Sequence, residues 1–176
     1  MSTMITVLRL GHRVGRDDRI STHCGLVSRA LGADSIIYSG DKDSGMVEGV
    51  TKVVSQFGGN FSAAYEEKWK KVITEHKKNK FTIVHMTAYG MPLQDKIKDV
   101  RKHTNILVVV GGEKVPGEVY GLADYNIAVA NQPHSEIAAL ALFLHEYFNG
   151  KELGNDFCNA KVKIVPQEHG KKLEES

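Results

Sequence analysis

Short runs of β-branched and aliphatic residues alternate along the chain with longer stretches whose apolar positions recur at helical spacing. The runs at residues 5–10, 35–38, 82–86, 106–110 and 126–130 predict strands, and the stretches at 22–31, 46–57, 65–78, 93–103 and 135–148 predict helices. Strands separated by helical stretches of this length pair in parallel through crossover helices, which predicts an α/β sheet flanked by helices. Several strands are apolar at consecutive positions, as expected when both faces of a parallel sheet are covered. After Gly150 the pattern weakens into a polar tail with one strand-like piece at 161–165. Residues 1–150 therefore read as one domain and 151–176 as a C-terminal extension.

The last helical stretch carries apolar side chains at every position from Ile137 to Leu144. A surface helix shows a single apolar stripe, so this one is expected to be covered on most sides. The interior of the same chain and a second subunit are both open as the cover.

Composition changes this picture little. With 176 residues, 41% of them apolar, the chain can bury one sizeable core, and a formal net charge of +2 gives no reason for disorder. It lacks the ~20 consecutive apolar residues of a membrane span. The start, Met1-Ser-Thr-Met, enters a strand-like run broken by Arg9, which predicts no secretory leader. Cys24 and Cys158 then read as reduced thiols, and the protein as soluble and cytoplasmic. The two cysteines are 134 positions apart and neither sits in a run with zinc-ligand spacing, so no metal site is expected. The nucleophile elbow of a hydrolase and the glycine fingerprints of dinucleotide and nucleotide phosphate sites are also missing.

Candidate chemistry falls just after strands, where open α/β sheets place their ligand loops. After 106–110 comes Gly111-Gly112-Glu113-Lys114-Val115-Pro116, whose paired glycines allow close backbone approach to a ligand. A plain turn is the competing reading. After 126–130 comes Asn131-Gln132-Pro133-His134-Ser135-Glu136, polar side chains around a stiffening proline, with Ser135 suited to capping the next helix. A third segment, His85-Met86-Thr87-Ala88-Tyr89-Gly90-Met91-Pro92, offers apolar surface for a flat ring, or simply a buried turn. The N-terminal loop from Arg9 to His23 concentrates Arg9, Arg13, Arg16 and Arg19 with His12 and His23. Arginine forks match phosphate geometry, although Asp17 and Asp18 also offer internal partners. Trp69 and the lysines around it read as a packing anchor on a solvated helix.

The stretches LRLGHRVGRDDRISTH, HMTAYG, VVVGGEKVPGEVYGLADYNIAVANQPHSEIAALALFLHEYF and KIVPQEHGKK together resemble the SPOUT methyltransferases, in particular the archaeal tRNA (cytidine-56) 2′-O-ribose methyltransferases. The resemblance implies a SPOUT-type parallel sheet whose C-terminal part is tied in a deep trefoil knot, against the general rule that chains do not thread. It also implies S-adenosyl-L-methionine as cofactor, a tRNA substrate and a homodimer with its active site at the interface. Carried onto this chain, the cofactor positions are Met86, then Gly111, Gly112, Glu113, Lys114 and Val115, then Val129, Ala130, Asn131, Gln132, Pro133, His134, Ser135 and Glu136. The asparagine that ribose-methylating SPOUT enzymes often carry two positions after this serine is replaced by Ile137, leaving Asn131 as a candidate for its role. Arg16 and Arg19 are the expected catalytic arginines, with His23 as a proton acceptor. Methylation of another RNA nucleotide, or RNA binding without turnover, are the alternatives.

Overall fold

In a computed structural model, which describes residues 3–112 and 114–175, six parallel strands form one sheet in the order β3-β2-β1-β5-β4-β6. These are β1 (Met4–His12), β2 (Ser35–Gly40), β3 (Ser62–Tyr65), β4 (Thr82–Pro92), β5 (Asn105–Gly111) and β6 (Tyr125–Ala128). The helices are α1 (Asp18–Ala30), α2 (Ser44–Phe57), α3 (Trp69–Lys78), α4 (Leu93–Val100), α5 (Glu118–Leu122) and α6 (Glu136–Phe148).

Strand period 2 explains the two cores. On β5, Ile106, Val108 and Val110 face a layer built from α1, α2, α4 and α6, while Leu107 and Val109 face α3 and α5. On β1, Ile5 and Val7 face the first layer and Leu8 and Leu10 the second. Alternate side chains thus enter different cores, which is why these strands are apolar at consecutive positions.

The expected elements are present; α5 and β8 are additional, and three regions differ from expectation. The chain from Tyr65 onward does not start a helix: Ser62–Tyr65 is an edge strand paired with β2, and α3 begins at Trp69. The strand was hidden because it is short and alanine-rich, with weak β-propensity. The segment starting at Arg9 is not loop: β1 runs on to His12, and only residues 13–17 separate it from α1. β4 extends to Pro92 across a bulge in which both Met86 and Met91 pair with Ile127.

α6 buries Ala139, Leu140, Phe143, Leu144 and Tyr147 against the sheet, yet Leu142 remains 46% exposed. The single chain covers one face of this apolar helix and leaves the other open. Beyond it, β7 (Val162–Val165) and β8 (Lys172–Glu175) form an antiparallel hairpin. The segment leading to the hairpin is held to the end of α2, where the Gly59 N–H donates to Cys158 O at 2.8 Å and the Lys161 N–H to Gln56 O at 3.0 Å. Arg29 sits 4.4 Å over the Phe157 ring. Among the described residues, no helix is long and apolar enough to cross a membrane.

Candidate active site

A cleft of about 1010 Å³ opens where the β4 bulge and the chain segments following β5 and β6 converge. Each wall has a local cause. In the β4 bulge, Gly90 lies against the β6 backbone so closely that a Cβ would meet Ile127 N at 2.5 Å and Asn126 O at 2.6 Å. Only glycine fits there, and the four residues 87–90 are pushed out of the ladder toward the cleft. Asn131 pins the bulge from the opposite side, its Nδ2 donating to Ala88 O at 2.8 Å and to Gly90 O at 3.0 Å. Thr87 Oγ1 is hydrogen-bonded to Tyr120 Oη of α5 at 2.9 Å.

The floor carries a buried charge. Arg9, fully buried on β1, places Nη2 3.0 Å from Glu136 Oε1 at the start of α6, and Nη1 donates to Leu10 O. The pair lies beneath Gly112, whose absent Cβ would stand 3.5 Å from Arg9 Nη2 and 3.9 Å from Glu136 Oε1. A buried guanidinium is costly unless compensated, and Glu136 supplies that compensation. Cys24, beside this pair, is no nucleophile, because burial pushes its thiol up to about 12. His85, buried on β4, is held by Asn126 Oδ1 at 2.9 Å and meets the Tyr120 ring edge-on at 4.8 Å. Asn126 Nδ2 donates to Tyr120 O, which fixes the amide and makes His85 Nδ1 the donor in that bond. Burial lowers the His85 pKa below its ordinary 6.5.

Of the expected cofactor positions, Met86, Gly111, Gly112, Lys114, Val115, Asn131, Gln132, Pro133, His134 and Glu136 line this cleft. Val129 packs against the core, Ala130 is exposed, and Ser135 caps α6 by accepting from Ile137 N at 3.2 Å. Glu113 lies outside the described residues. His85, Thr87 and Tyr120 also line the cleft. The first two belong to a segment singled out in sequence, whereas Tyr120, on a five-residue helix, gave no signal.

The expected catalytic side chains lie elsewhere. Arg16, Arg19 and His23 are exposed around the start of α1 and do not line the cleft of their own chain. Buried Asp17 organises the arm instead. It accepts from Arg13 Nε at 2.9 Å and Nη2 at 3.2 Å, and the bonded guanidinium holds its carboxyl below the ordinary 3.8. The internal Arg–Asp pairing open at the sequence level is therefore real for Arg13. The arm turns Arg16 and Arg19 outward.

The parallel α/β sheet flanked by helices is the fold of solved methyltransferases of the SpoU and TrmH type. The SpoU methyltransferase AviRb from Streptomyces viridochromogenes, solved with AdoMet, superposes with a TM-score of 0.63 at 15% identity, over 88% of this chain and 60% of that one. The A. aeolicus TrmH/SpoU tRNA modifying enzyme gives 0.60 at 16% identity, over 86% and 77% of the two chains.

Sequence narrows the class to one family. Residues 57–174 match the family described as tRNA ribose 2′-O-methyltransferase, aTrm56. The tRNA (cytidine(56)-2′-O)-methyltransferase of Thermococcus kodakarensis is 51% identical, covering 98% of both chains. Its counterpart in Methanocaldococcus jannaschii is 52% identical over 96% of this chain and 94% of that protein. The chain belongs to this tRNA ribose 2′-O-methyltransferase family.

Proposed function

We propose that the protein transfers a methyl group from S-adenosyl-L-methionine to the ribose 2′-hydroxyl of cytidine 56 in tRNA. The observation that carries this reading is the convergence of the β4 bulge and the segments after β5 and β6 on one cleft. The residues fit such a cofactor. The volume of about 1010 Å³ is at the upper end of the range for small-molecule sites, and the wall combines apolar side chains with exposed backbone. Met86 and Val115 offer apolar contact, while the backbone at Gly111 and Gly112, free of side chains, serves the polar edges of an adenine ring.

When bound, the cofactor supplies an electrophilic methyl group, leaving the chain to align the 2′-oxygen and manage its proton. Arg16 and Arg19 are the groups assigned to that side. A guanidinium stays charged above pH ~12, so neither arginine is a plain base. Their work is to orient an RNA phosphate and stabilise the developing alkoxide, while the proton passes to phosphate oxygen, water or His23. Because these side chains stand outside their own cleft, a second copy completes the site. The half-exposed Leu142 on α6 supports a homodimer of this kind. In this reading the trefoil knot implied by the resemblance brings the segments together, and the enzyme works in the cytoplasm, residues 1–150 forming the catalytic domain and 151–176 an extension.

Methylation of an unmodified tRNA transcript, mapped nucleotide by nucleotide, tests the assignment. A single methyl group on the ribose of cytidine 56 is expected. Methylation of another nucleotide or of a base contradicts it.

A further inference from the structure

Outside the cleft, the carboxyl end of β1 carries a cluster that the methyl-transfer reading does not use. His12 ends β1 with 1% of its surface exposed, and its Nε2 is buried without a hydrogen-bond partner. The ring is fixed through its other nitrogen, Nδ1, 2.8 Å from Ser21 Oγ on α1. Asp43, the N-cap of α2, uses Oδ1 to accept from Met46 N at 3.2 Å. That leaves Oδ2, which stands 3.6 Å from His12 Nε2, too far for a hydrogen bond. Asp18, at the start of α1, uses Oδ1 to accept from Gly15 N at 2.8 Å and keeps a second oxygen. One ligand atom from each of these residues lies within 4.8 Å of the others.

We infer that His12, Asp18 and Asp43 form a binding site for one divalent metal ion. Each side chain is oriented through one polar atom and has another to offer, His12 Nε2 faces Asp43 Oδ2, and one ligand atom from each of the three residues lies within 4.8 Å of the others. A metal-binding imidazole is oriented by a hydrogen bond on its other nitrogen, the role that Ser21 fills here. A neutral imidazole with two carboxylates carries a charge of −2, which a divalent cation neutralises. A mixed nitrogen and oxygen set suits a borderline-to-hard ion such as Mn²⁺. Asp18 is the exposed member, and its side chain closes the remaining distance. The helix starts at Asp18 and Ser44 oppose a cation, so the carboxylates are needed to hold one there. Bound ion would tie β1 to α1 and α2 and brace the five-residue arm, 13–17, that presents Arg16. Coordination positions left open by three protein ligands take water or a phosphate oxygen. Residues 12, 18 and 43 match no metal motif in sequence, because the fold, not the spacing, assembles them.

Calorimetric titration of the metal-stripped full-length protein with Mn²⁺ alone tests the site. One ion per chain is expected, with affinity at least tenfold lower in both Asp18→Asn and Asp43→Asn. Asparagine preserves the Gly15 contact in the first variant and the cap of α2 in the second, so both are expected to fold. Mn²⁺ should also raise the thermal unfolding midpoint of the unsubstituted protein, and raise that of both variants less at the same ion concentration. Absence of stoichiometric binding, or binding retained at full affinity by either variant, overturns the inference.

Discussion

The β4 bulge, the segments after β5 and β6 and the arm after β1 all lie at the carboxyl side of one parallel sheet, yet they end up in different states. The first three are turned inward and cross-linked: Asn131 grips the β4 bulge, Tyr120 grips Thr87, and Glu136 reaches back to Arg9. The arm is held by local contacts, Asp17 accepting from Arg13, Asp18 from the Gly15 N–H and Asp41 from the Val14 N–H, and Arg16 within it and Arg19 in the first turn of α1 are exposed. A single chain thus builds a cross-linked cleft, the proposed cofactor site, while Arg16 and Arg19, the groups proposed to meet the RNA, are exposed outside it. That division suits an enzyme that must hold a cofactor rigidly and receive an RNA from solution.

Separating binding from turnover challenges this contrast most strongly. Arg16→Ala and Arg19→Ala should each lower methyl transfer by about 10²-fold, the scale of losing a group that stabilises developing negative charge. Calorimetry should find cofactor affinity unchanged in both. A variant that lost cofactor affinity instead would place the arm inside the cleft's own machinery.

An intermediate effect is expected at the floor. Glu136→Gln leaves the Arg9 charge buried and uncompensated, at a cost of about 3 kcal/mol in unfolding free energy. The double variant Arg9→Met, Glu136→Leu removes both charges and should recover much of that loss in denaturant unfolding. If Glu136→Gln is as stable as the parent, the ion pair does not hold the floor.

The smallest expected effect is a pH dependence at the cleft wall. His85 has its pKa lowered by burial, so the unfolded chain takes up the proton first as pH falls below 6.5. Stability from this group is therefore complete above 6.5 and declines as pH drops toward the folded-state value. Denaturant midpoints measured from pH 8 to 5 should fall more in the parent than in His85→Asn. Parallel curves would mean that His85 titrates in the folded protein as it does in the unfolded one.

Much of the sheet was legible in sequence, because strands buried on both faces, such as Ile106–Val110, leave consecutive apolar residues that no surface element would carry. The cleft was legible in outline for a related reason: its segments begin where those runs stop. Long-range pairing was not. Arg9 reads as part of a basic loop until Glu136, distant in sequence, neutralises it and lets β1 continue through it. The β4 bulge was equally hidden: the segment after residue 86 reads as a ligand segment or a turn, and only the pairing of both Met86 and Met91 with Ile127, with Gly90 against the β6 backbone, makes it a bulge within a longer strand. The exposed position of Arg16 and Arg19 could not be read from composition either, because Asp17 and Asp18 are available to both inward and outward arrangements.

The most direct test of the division between cleft and arm is complementation between two inactive variants. Gly112→Leu crowds the cleft above the Arg9–Glu136 pair, and Arg19→Ala disables the arm. If a second copy supplies the arm, dissociating and remixing equal amounts should restore about a quarter of parental methyl transfer, since half of the dimers then carry one intact composite site of two. Activity that stays at the level of the separate variants after subunit exchange would contradict a site shared between two chains.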